Sequence, residues 1–154
     1  MHTKSGSRMA FIQLDDKTAR IEVKVYGELY DQRRDVIHKD KVLVIKGKAG
    51  VDHFNGGIQL SADELFDIEQ ARTQLARHMQ IQLQATQVNG QMLSQLKTIL
   101  APNQEAQCSI GFEYQSDDGV CELDLNNDWR VIPNRIMLDR LDSLIGQEKI
   151  RLIY

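Results

Sequence analysis

Four β-strand patterns, interrupted once by a helical one, fall between positions 4 and 63 in an order that few small folds accommodate. Residues 9–14 read as a strand ended by the turn-forming pair Asp15-Asp16. Residues 19–26 then alternate, with Ile21, Val23 and Val25 on one face and Arg20, Glu22 and Lys24 on the other. The two make a hairpin. Residues 28–38 read as one short helix and 42–45 as a strand buried on both faces. Residues 57–61 read as a further strand after the turn Asn55-Gly56-Gly57.

Strand, strand, helix, strand, strand is the tail of an OB-fold, a five-stranded barrel. Its first strand should precede the loop at 4–8, where only Met1, His2 and Thr3 stand. The expectation is a fragment whose N-terminal barrel lacks its first strand. Closing a sheet removes unpaired strand edges, so such a barrel should be open, locally disordered or patched by another molecule. A four-stranded meander with a helix is the alternative.

With 42% hydrophobic and 27% charged residues in 154, the chain has the composition of a soluble globular protein of one or two small domains. It carries no signal-peptide pattern, and its apolar runs fall far short of the roughly 18 residues of a membrane span, so cytoplasmic residence is expected. Cys108 and Cys121 fall on successive strand patterns and are expected as reduced, mostly buried thiols. The net charge of −3 is uneven: residues 1–77 hold 13 Lys and Arg against 12 Asp and Glu, residues 78–154 hold 6 against 10. The halves should do different jobs.

Leu65, Ile68, Ala71, Leu75 and Met79 recur at helical spacing and predict a connecting helix over 64–78. Met79, Ile81 and Leu83 then alternate with glutamines as a half-buried strand, and Asn89 is placed to cap a helix that Pro102 ends. Cys108, Ile110, Phe112 and Tyr114 alternate, Ser116-Asp117-Asp118-Gly119 turns, and Cys121, Leu123 and Leu125 alternate again as a hairpin. Residues 129–133 add an extended piece; Asn134 caps a last helix, Gly146 ends it, and 149–154 form a strand. The order is β-α-β-β-α-β. The chain is thus α+β: an incomplete OB-fold-like barrel at 1–63, a helix at 64–78, and at 79–154 a split β-α-β sandwich whose two helices cover one face of an antiparallel sheet.

These residues together resemble the C-terminal end of the bacterial replicative DNA polymerase III alpha subunit. The marks are Thr3-Lys4-Ser5-Gly6-Ser7-Arg8 before a strand, Leu14-Asp15-Asp16, Ile21-Glu22-Val23, Gly56-Gly57, Asp67-Ile68-Glu69-Gln70-Ala71-Arg72, Trp129-Arg130-Val131 and Leu144-Ile145-Gly146. The likeness covers nearly the whole chain and lies in their joint order and spacing. It implies an OB domain near single-stranded template DNA, followed by a domain that binds the tau subunit of the clamp loader. The catalytic palm, its metal-binding carboxylates and the first OB strand would lie upstream.

OB-folds hold single strands with cations along a groove and aromatic faces on which bases stack, each stack worth roughly 1 to 3 kcal/mol. The candidates are Lys4 and Arg8 around a Ser5-Gly6-Ser7 tip, Lys17 at the hairpin turn, Lys46 and Lys48 pointing outward with Lys24, and the aromatics Tyr26 and Phe54. Phe11 reads more readily as core. With so few cations, binding should be weak and salt-dependent. For a protein partner, Trp129 is a candidate anchor. Some members of the family carry a sliding-clamp peptide at the C-terminus. Here Lys149 stands where such a peptide has Gln, while Leu152 and Tyr154 keep part of its apolar end, and a core strand accounts for them as well. The four histidines are dispersed, Asp15-Asp16 and Asp117-Asp118 sit at turns, and no phosphate loop opens a helix, so no catalytic site, metal or cofactor is expected. A pure protein-interaction module and an OB-fold RNA-binding domain are the rival readings.

Overall fold

The computed structural model describes residues 8–52 and 56–154, which divide into two compact units, Met1–Ile68 and Glu69–Tyr154. Lys4, the Ser5-Gly6-Ser7 tip and Phe54 lie outside the described residues.

Unit 1 comprises strands β1 (Met9–Asp15) and β2 (Arg20–Tyr26), helix α1 (Gly27–Arg33), and strands β3 (Val44–Val51) and β4 (Ile58–Phe66). The sheet runs β1-β2-β4-β3; β2 and β4 are parallel and the other pairs antiparallel. Among the described residues it does not close, so the OB-fold-like unit is an open sheet. Val23, Val25, Ala62 and Leu65 form its core, with Ala10, Ile12 and Leu14 against them. Two carboxylates make the β1–β2 turn. Asp15 Oδ1 accepts from Lys17 N at 2.8 Å, and Asp16 Oδ1 accepts from Thr18 N and Ala19 N at 2.9 Å and from Thr18 Oγ1 at 2.6 Å. Lys17 thereby takes a positive φ of 69°. The Thr18 hydroxyl, followed by the Ala19 and Thr18 amides, lowers the Asp16 pKa to about 2.

Three expectations for this unit are corrected. Helix α1 stops at Arg33, well before His38. The apolar run at 42–45 is not a strand buried on both faces: Val42 is 69% exposed, and β3 starts at Val44 on the sheet edge, with only Leu43 and Ile45 packed on the core. Leu65 belongs to β4, paired opposite Ile45, so the helix expected from 64 begins at Ile68 instead. The register shift between Lys46 and Gly47 lets this pairing continue. There Gly47 lies so close to β4 that a Cβ would sit 2.1 Å from the Ser61 carbonyl oxygen. Long-range pairing has overridden a local helical spacing.

In the second unit, helix α2 (Ile68–Leu75) leads into β5 (His78–Gln84), α3 (Gly90–Ile99), β6 (Cys108–Ser116), β7 (Gly119–Asp124), β8 (Arg130–Val131), α4 (Arg135–Ile145) and β9 (Ile150–Ile153). The element order is the one read from the sequence. Asn89 Oδ1 caps α3 by accepting from Met92 N at 2.9 Å, and Asn134 Oδ1 caps α4 from Met137 N at 2.9 Å. Glu69 Oε1 accepts from Arg135 N at 2.9 Å, which ties α2 to the start of α4. Met92, Leu96, Leu141 and Ile145 from the helices meet Met79, Ile81, Leu83 and Ile110 from the sheet in one core, so both helices cover one face.

The sheet order is β7-β6-β5-β9, with β8 also on β6. It is not purely antiparallel: β5 and β6 are adjacent and parallel, so α3 is the crossover of an unsplit β-α-β unit. The expectation of a mostly buried thiol fails for Cys121, because every residue of β7, Leu123 included, is exposed. Both thiols are free; Cys108 is buried, and burial raises its pKa to about 11, whereas Cys121 is exposed.

Candidate nucleic-acid interface

Strand parity decides what the outer face of unit 1 carries. Ala10, Ile12 and Leu14 turn to the core, so Phe11 turns away from it; Val23 and Val25 turn inward, so Lys24 and Tyr26 turn outward. The register then aligns four strands: Phe11 stands opposite Lys24, Lys24 opposite Ser61, and Ser61 opposite Lys48. An aromatic ring, a cation, a hydroxyl and a second cation thus form one straight row. Lys24 Nζ lies 5.7 Å from the centre of the Phe11 ring, a cation–π distance. Beside the row, a depression of about 250 Å³ is lined by Lys24, Tyr26, Lys48, Gly50, Gln59 and Ser61. A Cβ at Gly50 would meet nothing within 4 Å, and Gln59 Nε2 donates to Val51 O at 3.5 Å. Phe11 and Tyr26 are both 44% exposed, enough for a flat ring to lie on either.

The residues singled out from the sequence fare differently. Tyr26 and Lys48 come together here. Arg8 is beside them, since its carbonyl accepts from Gly27 N at 2.8 Å, and its guanidinium stands 3.8 Å from the Asp31 carboxylate. Lys46 forms an exposed ion pair with Glu64 Oε1 at 2.8 Å, so a carboxylate stands beside its charge. Lys17 caps the far end of the hairpin, six pairs and about 20 Å from Tyr26, so it is no part of this cluster. Lys4 and Phe54 are outside the described residues. The reading of Phe11 as core is corrected. Its parity, opposite to Ala10 and Ile12, was the signal that could have placed it outside. Lys24 was legible as outward, but its position between Phe11 and Ser61 depends on register.

In unit 2, Trp129 is half-buried, and its amide donates to Asn126 O at 3.0 Å. Leu152 lies opposite Met79 and packs on the core, while Tyr154 is exposed beyond β9. Between α3 and α4 runs an apolar groove of about 760 Å³ whose lining includes Thr98, Ile99, Ile136, Arg140 and Leu144. Among the described residues, no three His, Cys, Asp or Glu side chains come together as a metal site. No described helix is long and apolar enough to cross a membrane.

An open sheet with an aromatic and cationic outer face defines the class, and residues 1–68 match the family described as OB-fold nucleic acid binding domain. Residues 95–146 match the C-terminal domain of DNA polymerase III subunit alpha. The DNA polymerase III alpha subunit of Vibrio cholerae is 36% identical over 152 residues, that of Escherichia coli K12 34% over 152, each alignment covering 99% of this chain. That of Pseudomonas aeruginosa is 30% identical over 154 residues. The chain belongs to the DNA polymerase III alpha subunit family. It spans 13% of the length of these relatives.

Proposed function

We propose that the chain acts in bacterial DNA replication as a non-catalytic, cytoplasmic part of a polymerase III alpha subunit. Unit 1 holds single-stranded template DNA, and unit 2 docks on the tau subunit of the clamp loader. The observation that supports the first half is the cross-strand row from Phe11 to Lys48: rings offer stacking to any base, and two lysines offer phosphate contacts without reading sequence. The apolar groove between α3 and α4 supports a protein partner for unit 2, where acidic residues outnumber basic ones. Modest contacts suffice, because a tether raises the effective concentration of the polymerase at its template. A sliding-clamp contact through Leu152 and Tyr154 is the weaker reading, since Leu152 would have to leave the core of unit 2.

The test is fluorescence anisotropy of a labelled single-stranded oligonucleotide at low and moderate salt, with duplex and RNA of the same sequence as controls. Micromolar binding that favours single-stranded DNA is expected. The double substitution Lys24→Ala with Lys48→Ala should weaken it and reduce the salt slope by about 1.4, or roughly 0.7 for each phosphate left without its lysine. An unchanged isotherm would reject this face, and a preference for RNA would favour an RNA-binding domain. Titration with tau tests the second half.

A further inference from the structure

We infer that the outer edge of β7 is a docking edge for an extended, basic polypeptide segment, which adds to the sheet of unit 2 as one more strand. Among the described residues β7 pairs only with β6, so the outward-facing amides and carbonyls of a six-residue strand, about 20 Å long, have no ladder. Its neighbour β6 has no exposed residue, whereas all of β7 is exposed. Val120, opposite Gln115 on the polar face, is 64% exposed; Leu123, opposite Phe112 on the helix side, is 54% exposed. An apolar side chain thus stands uncovered on each face of this edge.

Charge selects the occupant. From position 98 to 129 there is no Lys or Arg, while seven Asp and Glu occur, among them Asp117, Asp118, Glu122 and Asp124 around this hairpin. A nucleic acid would be repelled. Antiparallel pairing with β7 of a second copy would bring acids against acids, which destabilises a ladder. An incoming strand with cations on the face of Glu122 and Asp124 and apolar side chains on the face of Leu123 satisfies both sides. Main-chain bonds supply affinity and the alternating side chains supply selectivity. This deepens the reading of unit 2 as a protein-docking module, and its test contains no tau, so either can fail alone.

The probe is a fluorescein-labelled octapeptide of alternating lysine and valine, titrated into the full chain, with its fully N-methylated counterpart as control. Salt-sensitive binding is expected, at least tenfold weaker for the N-methylated peptide. Saturating peptide should also slow alkylation of the exposed Cys121 several-fold. The exposed double variant Val120→Lys with Glu122→Lys, checked for unchanged circular dichroism, should bind at least tenfold more weakly. No binding, equal binding of the N-methylated peptide, an unaffected variant, or self-association of the chain through this edge would each overturn the inference.

Discussion

Gly47 and Gly111 lie in tight places of different hardness. At Gly47 a Cβ would meet the Ser61 backbone, which cannot move without breaking the β3–β4 bulge. Gly47→Ala is therefore expected to destabilise unit 1 by about 3 kcal/mol in urea titrations. At Gly111 the neighbours are the side-chain ends of Gln80, Asp124 and His78, at 2.6 to 2.7 Å from a Cβ. Gly111→Ala should cost only about 1 kcal/mol, by displacing the contacts of His78 Nε2 with Gln80 Oε1 and of His78 Nδ1 with Ser109 Oγ, each 2.8 Å. Asp16 sets a pH dependence. Its folded pKa lies below the unfolded value of 3.8, so the turn's contribution is complete above that value and is lost as pH falls through about 2. The amide resonances of Thr18 and Ala19 should accordingly titrate near 2. A midpoint at 3.8 would show that Asp16 does not hold them in solution.

Elements whose signals are local were legible in the sequence. The Asp15-Asp16 turn and both asparagine caps stand where short-range hydrogen bonding puts them. Asn89→Ala and Asn134→Ala should each cost about 1 kcal/mol in thermal or urea unfolding, with the loss confined to unit 2. Signals shared between elements misled. Leu65 fits a helical spacing with Ile68 and Ala71, yet it is the inward residue of β4, because pairing with Ile45 buries it completely. Leu123 and Cys121 alternate like a half-buried strand, yet alternation does not reveal whether a helix covers that face.

For the molecule as a whole, the two units predict separable behaviour. If the proposed division of labour holds, residues 69–154 expressed alone should fold and bind tau but not single-stranded DNA. Circular dichroism and the two titrations check this, and retained DNA affinity would move the nucleic-acid site out of unit 1. The sequence by itself determined the turns and caps, because these rest on side chains close together in the chain, and it determined the order of elements, the uneven charge and the family resemblance, because these rest on the linear order of residues alone. It also determined, through parity, that Lys24 and Tyr26 face away from the unit 1 core. Only the tertiary structure decided that Phe11, Lys24, Ser61 and Lys48 stand in one row, that Lys46 is paired with Glu64, and that β5 and β6 run parallel. Each of these depends on the register between strands distant in sequence, which is set by burial of whole faces rather than by any local preference.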